Sequence, residues 1–183
     1  MDFNAIWEFM NTRAALYVYA VLIFSLFFIH RTLKRKKVKL LMADNRFKDA
    51  QLFGPPAITT PIAISIDGYI GVAPGPFSPP VIINMKTIKG YEIFFDDHSI
   101  AKSDKVGKNE LIFKDTASLM EQRLQEKTKK ILLALFLKDD YTLNVVLFNA
   151  STRPSSAMRD STRNEIKQLF SKLEEVEPLA KHH

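Results

Sequence analysis

The side chains that could do chemistry are few, and their spacing says more than their number. Four histidines occur, His30, His98, His182 and His183. None stands at a zinc-ligand spacing from a second ligand or has a partner that would make it a general base. Asp96-Asp97-His98 places two carboxylates and an imidazole in succession, a set that could ligate a metal ion, but neighbouring side chains at a strand end diverge. The triplet therefore reads as turn acids, and Asp139-Asp140 reads the same way. Ser155-Ser156 suits a helix N-cap better than a nucleophile. No glycine-rich phosphate loop of the Walker or dinucleotide pattern is present. The absence of cysteine excludes disulfides and thiolate metal sites and is compatible with a reducing cytoplasm. No catalytic residue, cofactor or metal is assigned. A non-enzymatic binding role leads, and a membrane-tethered enzyme is the contrasting class.

One cluster does carry chemistry, and it is electrostatic. Arg31, Lys34, Arg35, Lys36, Lys37 and Lys39 put six cations into nine residues. Residues 1–30 hold one cation and two acids, and everything after residue 39 holds 19 cations against 18 acids. The net charge of +6 is thus a local collar rather than a basic domain face. A collar of this kind attracts anionic lipid headgroups by about 1 kcal/mol per cation. A nucleic-acid-binding domain would need its own basic face, so no specific nucleic acid is expected.

The element that positions the collar is the apolar stretch before it. Residues 14–30 are 17 positions without a formal charge, which as a helix cover roughly 25 Å, near the lower limit for crossing a bilayer. Trp7, Tyr17 and Tyr19 suit the interface on the N-terminal side. A cleaved signal peptide has the opposite charge order and a small-residue cleavage site, and a helix this long that is apolar all round is rare in the core of a small domain. An uncleaved signal anchor is the expectation. One cation precedes the span and six follow, so the N-terminus should lie outside and the remainder in the cytoplasm.

Beyond the collar, residues 40–53 have helical composition and predict a stalk ended by Gly54-Pro55-Pro56. Residues 62–73 predict a hairpin with a type I′ turn at Asp67-Gly68. A proline-dense loop follows, carrying Phe77, Pro79 and Pro80. Two readings stand for it: a rigid crossover whose Phe77 tucks into the core, or a recognition surface near the bilayer. Strands are predicted at 81–85 and 88–95, with a weak one at 111–113, and a short helix over 116–127. A second hairpin is predicted from runs 131–137 and 141–148. The chain ends in an amphipathic helix from Ser155 or Ser156 to Val176, stopped by Glu177-Pro178. The domains expected are 1–30 (N-terminal segment and span), 31–56 (collar and stalk), 57–177 (folded domain) and 178–183 (tail).

The order of two hairpins, further strands and one terminal helix resembles the pleckstrin-homology-like domains of bacteria. The stretches that carry the resemblance are Ile88-Lys-Gly-Tyr-Glu-Ile, the strands around Leu132 and Val145, and the helix from Asn164 to Val176. It implies an α+β fold in which a bent seven-stranded antiparallel sheet or barrel is closed at one end by the helix. The first hairpin departs from phosphoinositide-binding relatives, since no cation lies between Lys48 and Lys86, and the terminal helix lacks their tryptophan. The resemblance implies binding rather than a reaction.

The functional expectation is a single-pass adaptor at the bacterial inner membrane. Its partners would be anionic lipid and a membrane or membrane-proximal protein, and an oligomer is compatible with the sequence. The named alternative is a prophage- or plasmid-encoded superinfection exclusion protein that blocks DNA entry at the inner membrane.

Overall fold

The apolar stretch and the cationic run form one helix, α1 (Arg13–Met42). The computed structural model describes residues 13–54, 59–75, 77–104, 111–124, 128–150 and 156–182. Trp7, Pro55, Pro56, Lys127 and Ser155, on which sequence expectations rested, lie outside them. No part of the apolar window of α1 is buried against the rest of the protein, which makes it a candidate membrane-spanning helix near the N-terminus.

The stalk expected to reach Phe53 stops at Met42. Asp44 accepts a hydrogen bond from the Arg46 amide at 3.0 Å and so caps a 3-10 turn, Asn45–Phe47, that redirects the chain. Residues 51–53 then form a strand, which buries Phe53 in the main core.

Among the described residues, eight strands make two antiparallel four-stranded sheets, where seven in one bent sheet or barrel were expected. The first sheet holds β1 (Gln51–Phe53), β2 (Ile62–Ile64), β3 (Tyr69–Val72) and β4 (Val81–Asn84) in chain order. The second holds β5 (Ile88–Phe95), β6 (His98–Asp104), β7 (Lys130–Leu137) and β8 (Thr142–Asn149) in the order β6-β5-β7-β8. A 3-10 turn, Met85–Thr87, carries the chain from one sheet to the other. The Thr59 and Thr60 amides donate to the Leu147 and Val146 carbonyls of β8 at 2.8 and 3.0 Å, a two-bond bridge between the sheets. The described residues form no closed barrel.

Alternation along β2 and β3 explains how the first sheet is covered on both sides. Ile62, Ile64, Ile70 and Val72 face the main core. Ala63 and Gly71 face the other way, where Leu41 and Phe47 are buried. A Cβ on Gly71 would lie 2.5 Å from Leu41 Cδ1 and 2.8 Å from Phe47 Cζ, so only glycine lets α1 dock this closely.

The turn at Asp67-Gly68 differs from the type I′ turn expected there. At Ser65 to Gly68 the Gly68 amide donates to the Ser65 carbonyl at 3.1 Å, and only Gly68, at φ +80°, is left-handed. This is a type I turn followed by a left-handed glycine. The two left-handed residues of a type I′ turn occur instead at Asp96 and Asp97, φ 47° and 68°, between paired Phe95 and His98.

Residues 111–113 are not a strand but lead into α2 (Thr116–Arg123). The terminal helix α3 (Ser156–His182) covers the core with Ile166, Leu169, Phe170, Leu173 and Val176. It continues through Pro178 because the next turn is still anchored: Ala180 is buried, and its Cβ would be 2.3 Å from any Cβ on Gly68. The folded elements thus extend beyond 57–177 at both ends.

Candidate functional site

The six collar cations all lie on α1, but the helix period separates them. Lys34, Val38 and Leu41 fall on the face turned to the folded domain, with exposure decreasing toward Leu41. Lys34 Nζ donates to the Thr59 carbonyl. Arg31, Lys34, Arg35, Lys36 and Lys39 line one wall of a cleft of about 980 Å³, whose other wall is Leu52, Gly54, Pro61 and Glu165. Lys37 is not part of either wall. Glu165 is committed to the scaffold, its Oε1 accepting from the Gly54 amide at 2.6 Å. The cleft is cationic, with an apolar contribution from Val38, Leu52 and Pro61.

Contacts down α1 orient the first sheet. Lys34 meets Thr59, Leu41 meets Ala63 and Gly71, and beyond the helix the Arg46 guanidinium lies over the Tyr69 ring at 5.5 Å. The end of the sheet bearing Phe53, Ile62, Val72 and Val81 is therefore the end nearer the apolar half of α1, and the Tyr69–Asn84 pair marks the far end. The proline-dense loop leaves β3 at the near end, where the Ala73 amide donates to the Pro61 carbonyl at 3.0 Å. Phe77 at its tip is 84% exposed, and Pro79 is exposed with it. The crossover reading, with Phe77 in the core, is thus overturned by the exposure of the ring. Pro80 is half-buried where β4 begins.

Asp96, Asp97 and Asp140 each take a place in a turn between strands. Asp96 Oδ1 accepts from the Lys129 and Lys130 amides at 2.9 and 2.8 Å, and Asp97 pairs with Lys130 Nζ at 2.8 Å. Asp140, at φ 56°, ends the 3-10 turn Lys138–Asp140 between β7 and β8. No three His, Asp or Glu side chains gather as a metal set among the described residues.

Sequence reading missed a cluster of glutamates on α3. Glu177, read as a helix stop, is 3% exposed, and its two carboxylate oxygens accept from the Ile112 and Phe113 amides at 2.7 and 2.9 Å. Glu174 accepts from the Ala117 amide at 2.7 Å, and Arg163 donates to the Leu124 carbonyl at 2.9 Å. Thus α3 caps both ends of α2, satisfying backbone groups that a helix leaves unpaired. The signal available in the sequence was the spacing of Glu174 and Glu177, three apart on the same face as Phe170 and Leu173. Beneath α2, the Tyr91 ring stacks on Phe113 with centroids 5.1 Å apart, and its hydroxyl lies 2.7 Å from Thr116 Oγ1. Burial raises the Tyr91 phenol above its ordinary pKa, opposed by the Thr116 hydrogen bond. At the surface, hydrogen bonds from Arg46 lower the Asp44 carboxyl to about 2.

Comparison with protein-family models, with curated proteins and with solved structures gave no match.

Proposed function

We propose that the chain is a membrane-anchored adaptor that holds a protein-binding loop close to the cytoplasmic face of the bacterial inner membrane. Helix α1 crosses the bilayer with its N-terminus outside, and the two-sheet domain meets a membrane-proximal protein through Phe77, Ser78 and Pro79. A pleckstrin-homology-like scaffold belongs to this reading, supported by two antiparallel sheets packed against one terminal helix.

The observation that carries it is the exposed Phe77 at the end of the first sheet nearer the apolar half of α1. Exposed aromatic rings are favoured as anchors of protein interfaces, because they bury a large apolar area with few rotatable bonds. Docking of Leu41 and Phe47 on the first sheet fixes the height of the loop.

The test is a photo-crosslinking residue placed at Phe77 in cells, with Lys86, at the far end of the same sheet, as control. A discrete protein adduct from position 77, absent from position 86 and from an anchor-deleted chain starting at Leu40, is expected. Identical adducts from both positions, or none from either, would refute the reading.

A further inference from the structure

We infer that the cleft between α1 and the edge of the first sheet binds the phosphodiester headgroup of an anionic phospholipid. The inference rests on α1 being the membrane anchor. It goes beyond the general attraction of a basic collar, because it separates cations that line a built cavity from one that does not.

Shape comes first. A volume of about 980 Å³ is at the large end of the range for small-molecule sites, and this cleft has one charged wall and one fixed wall. Arg31 and Arg35 stand one helical turn apart and present planar guanidinium groups, which bind phosphate through paired hydrogen bonds. Lys39 continues the row a further turn down. The acid on the opposite wall, Glu165, already accepts from the Gly54 amide, which limits its repulsion of an anion.

Position decides between a lipid and a soluble phosphate compound. The cleft begins at Arg31, immediately below the apolar stretch. The helix positions three, four and seven residues above Arg31 are Phe28, Phe27 and Phe24, all exposed. The face that lines the cleft therefore continues upward as an aromatic surface, on which the acyl chains of the same lipid can lie. A soluble anion would have no use for that continuation.

The experiment uses the full chain in detergent, with native mass spectrometry to measure retained phosphatidylglycerol against phosphatidylcholine. Replacing both Arg31 and Arg35 by Gln should weaken phosphatidylglycerol retention roughly 25-fold, at about fivefold per cation. Lys37→Gln removes the same charge outside the cleft and should change it less than twofold. The pair Arg31→Lys with Arg35→Lys keeps charge and removes the planar groups, and should still bind several-fold more weakly. Equal losses from Lys37→Gln and Arg35→Gln would overturn the site in favour of a diffuse collar. Displacement of the lipid by millimolar inorganic phosphate would overturn it in favour of a soluble anion. Alkaline extraction of membranes tests the anchor separately: wild-type protein released by carbonate would refute the anchor itself, whatever the detergent measurement gives.

Discussion

Glu177 shows how a residue that looks like punctuation in the sequence becomes a structural centre. Its carboxylate accepts from the Ile112 and Phe113 amides in a buried place, so Glu177→Ala leaves two donors without partners. A loss of roughly 2–6 kcal/mol is expected by urea denaturation of the full chain in detergent, at about 1–3 kcal/mol for each amide left unpaired. Glu177→Gln keeps one acceptor oxygen and should lose less; equal losses would show that packing, not acceptance, is its role. Tyr91 gives a pH prediction. Its phenol is raised by burial, so the folded state retains the proton to higher pH than the unfolded chain. Its contribution to stability is present below the ordinary tyrosine pKa and is lost as pH rises through the folded value. Absorbance titration of tyrosinate should show a late component that Tyr91→Phe removes; a profile unchanged by that substitution would contradict the assignment. Asp44 works in the opposite direction, since its carboxyl is lowered to about 2 by Arg46. What it adds to the turn after α1 is present above the ordinary Asp range and lost as pH falls toward 2.

At the scale of elements, two dockings hold the molecule together. Helix α3 closes the space between the sheets, with Leu169 and Leu173 packed among Ile62, Ile70, Leu133 and Val145 and almost no free volume. Leu173→Ala should therefore cost about 2–5 kcal/mol, because such a tightly filled site leaves a cavity when truncated. Unchanged stability would mean that α3 does not close the core. The other docking joins α1 to the first sheet through Leu41, Phe47 and Gly71. Gly71→Val would drive a side chain into Leu41 and Phe47, at about 1–3 kcal/mol of overpacking. Limited proteolysis should then cut faster at residues 43–50, with the two-sheet core remaining resistant. Unaltered cleavage would show that the contact does not fix the helix to the domain.

For the molecule as a whole, the charge asymmetry of α1 makes the strongest claim. With six cations after the apolar stretch and one before it, a reporter fused after His183 should be active only if it works in the cytoplasm. Reversing the six collar cations to acids should weaken or invert this orientation, and a periplasmic reporter in the wild type would rule it out. The same arrangement relates the two binding surfaces proposed for this protein. The cationic cleft and Phe77 are both on the end of the domain nearer the apolar half of α1, so a lipid held in the cleft would steady the loop offered to a partner.

The sequence by itself determined what depends on local pattern. An uncharged run of 17 residues dictates a long apolar helix, the period of Ile166, Leu169, Phe170 and Leu173 an amphipathic one, and the alternating runs the paired strands. The grouping of strands into two sheets was not legible, because it depends on the 3-10 turn Met85–Thr87 and on two hydrogen bonds from Thr59 and Thr60 to β8, which join residues far apart in the chain. The left-handed pair at Asp96 and Asp97 was equally hidden. Asp-Gly is the better intrinsic turn former, but the two amides that Asp96 caps, Lys129 and Lys130, arrive only once β7 has docked on β5. As for the candidate site, the collar was visible as composition, since charge can be counted along a chain. Which of its cations face a cleft was decided only when Leu41 settled on Gly71, because that contact sets the rotation of α1 and with it the direction of every side chain above.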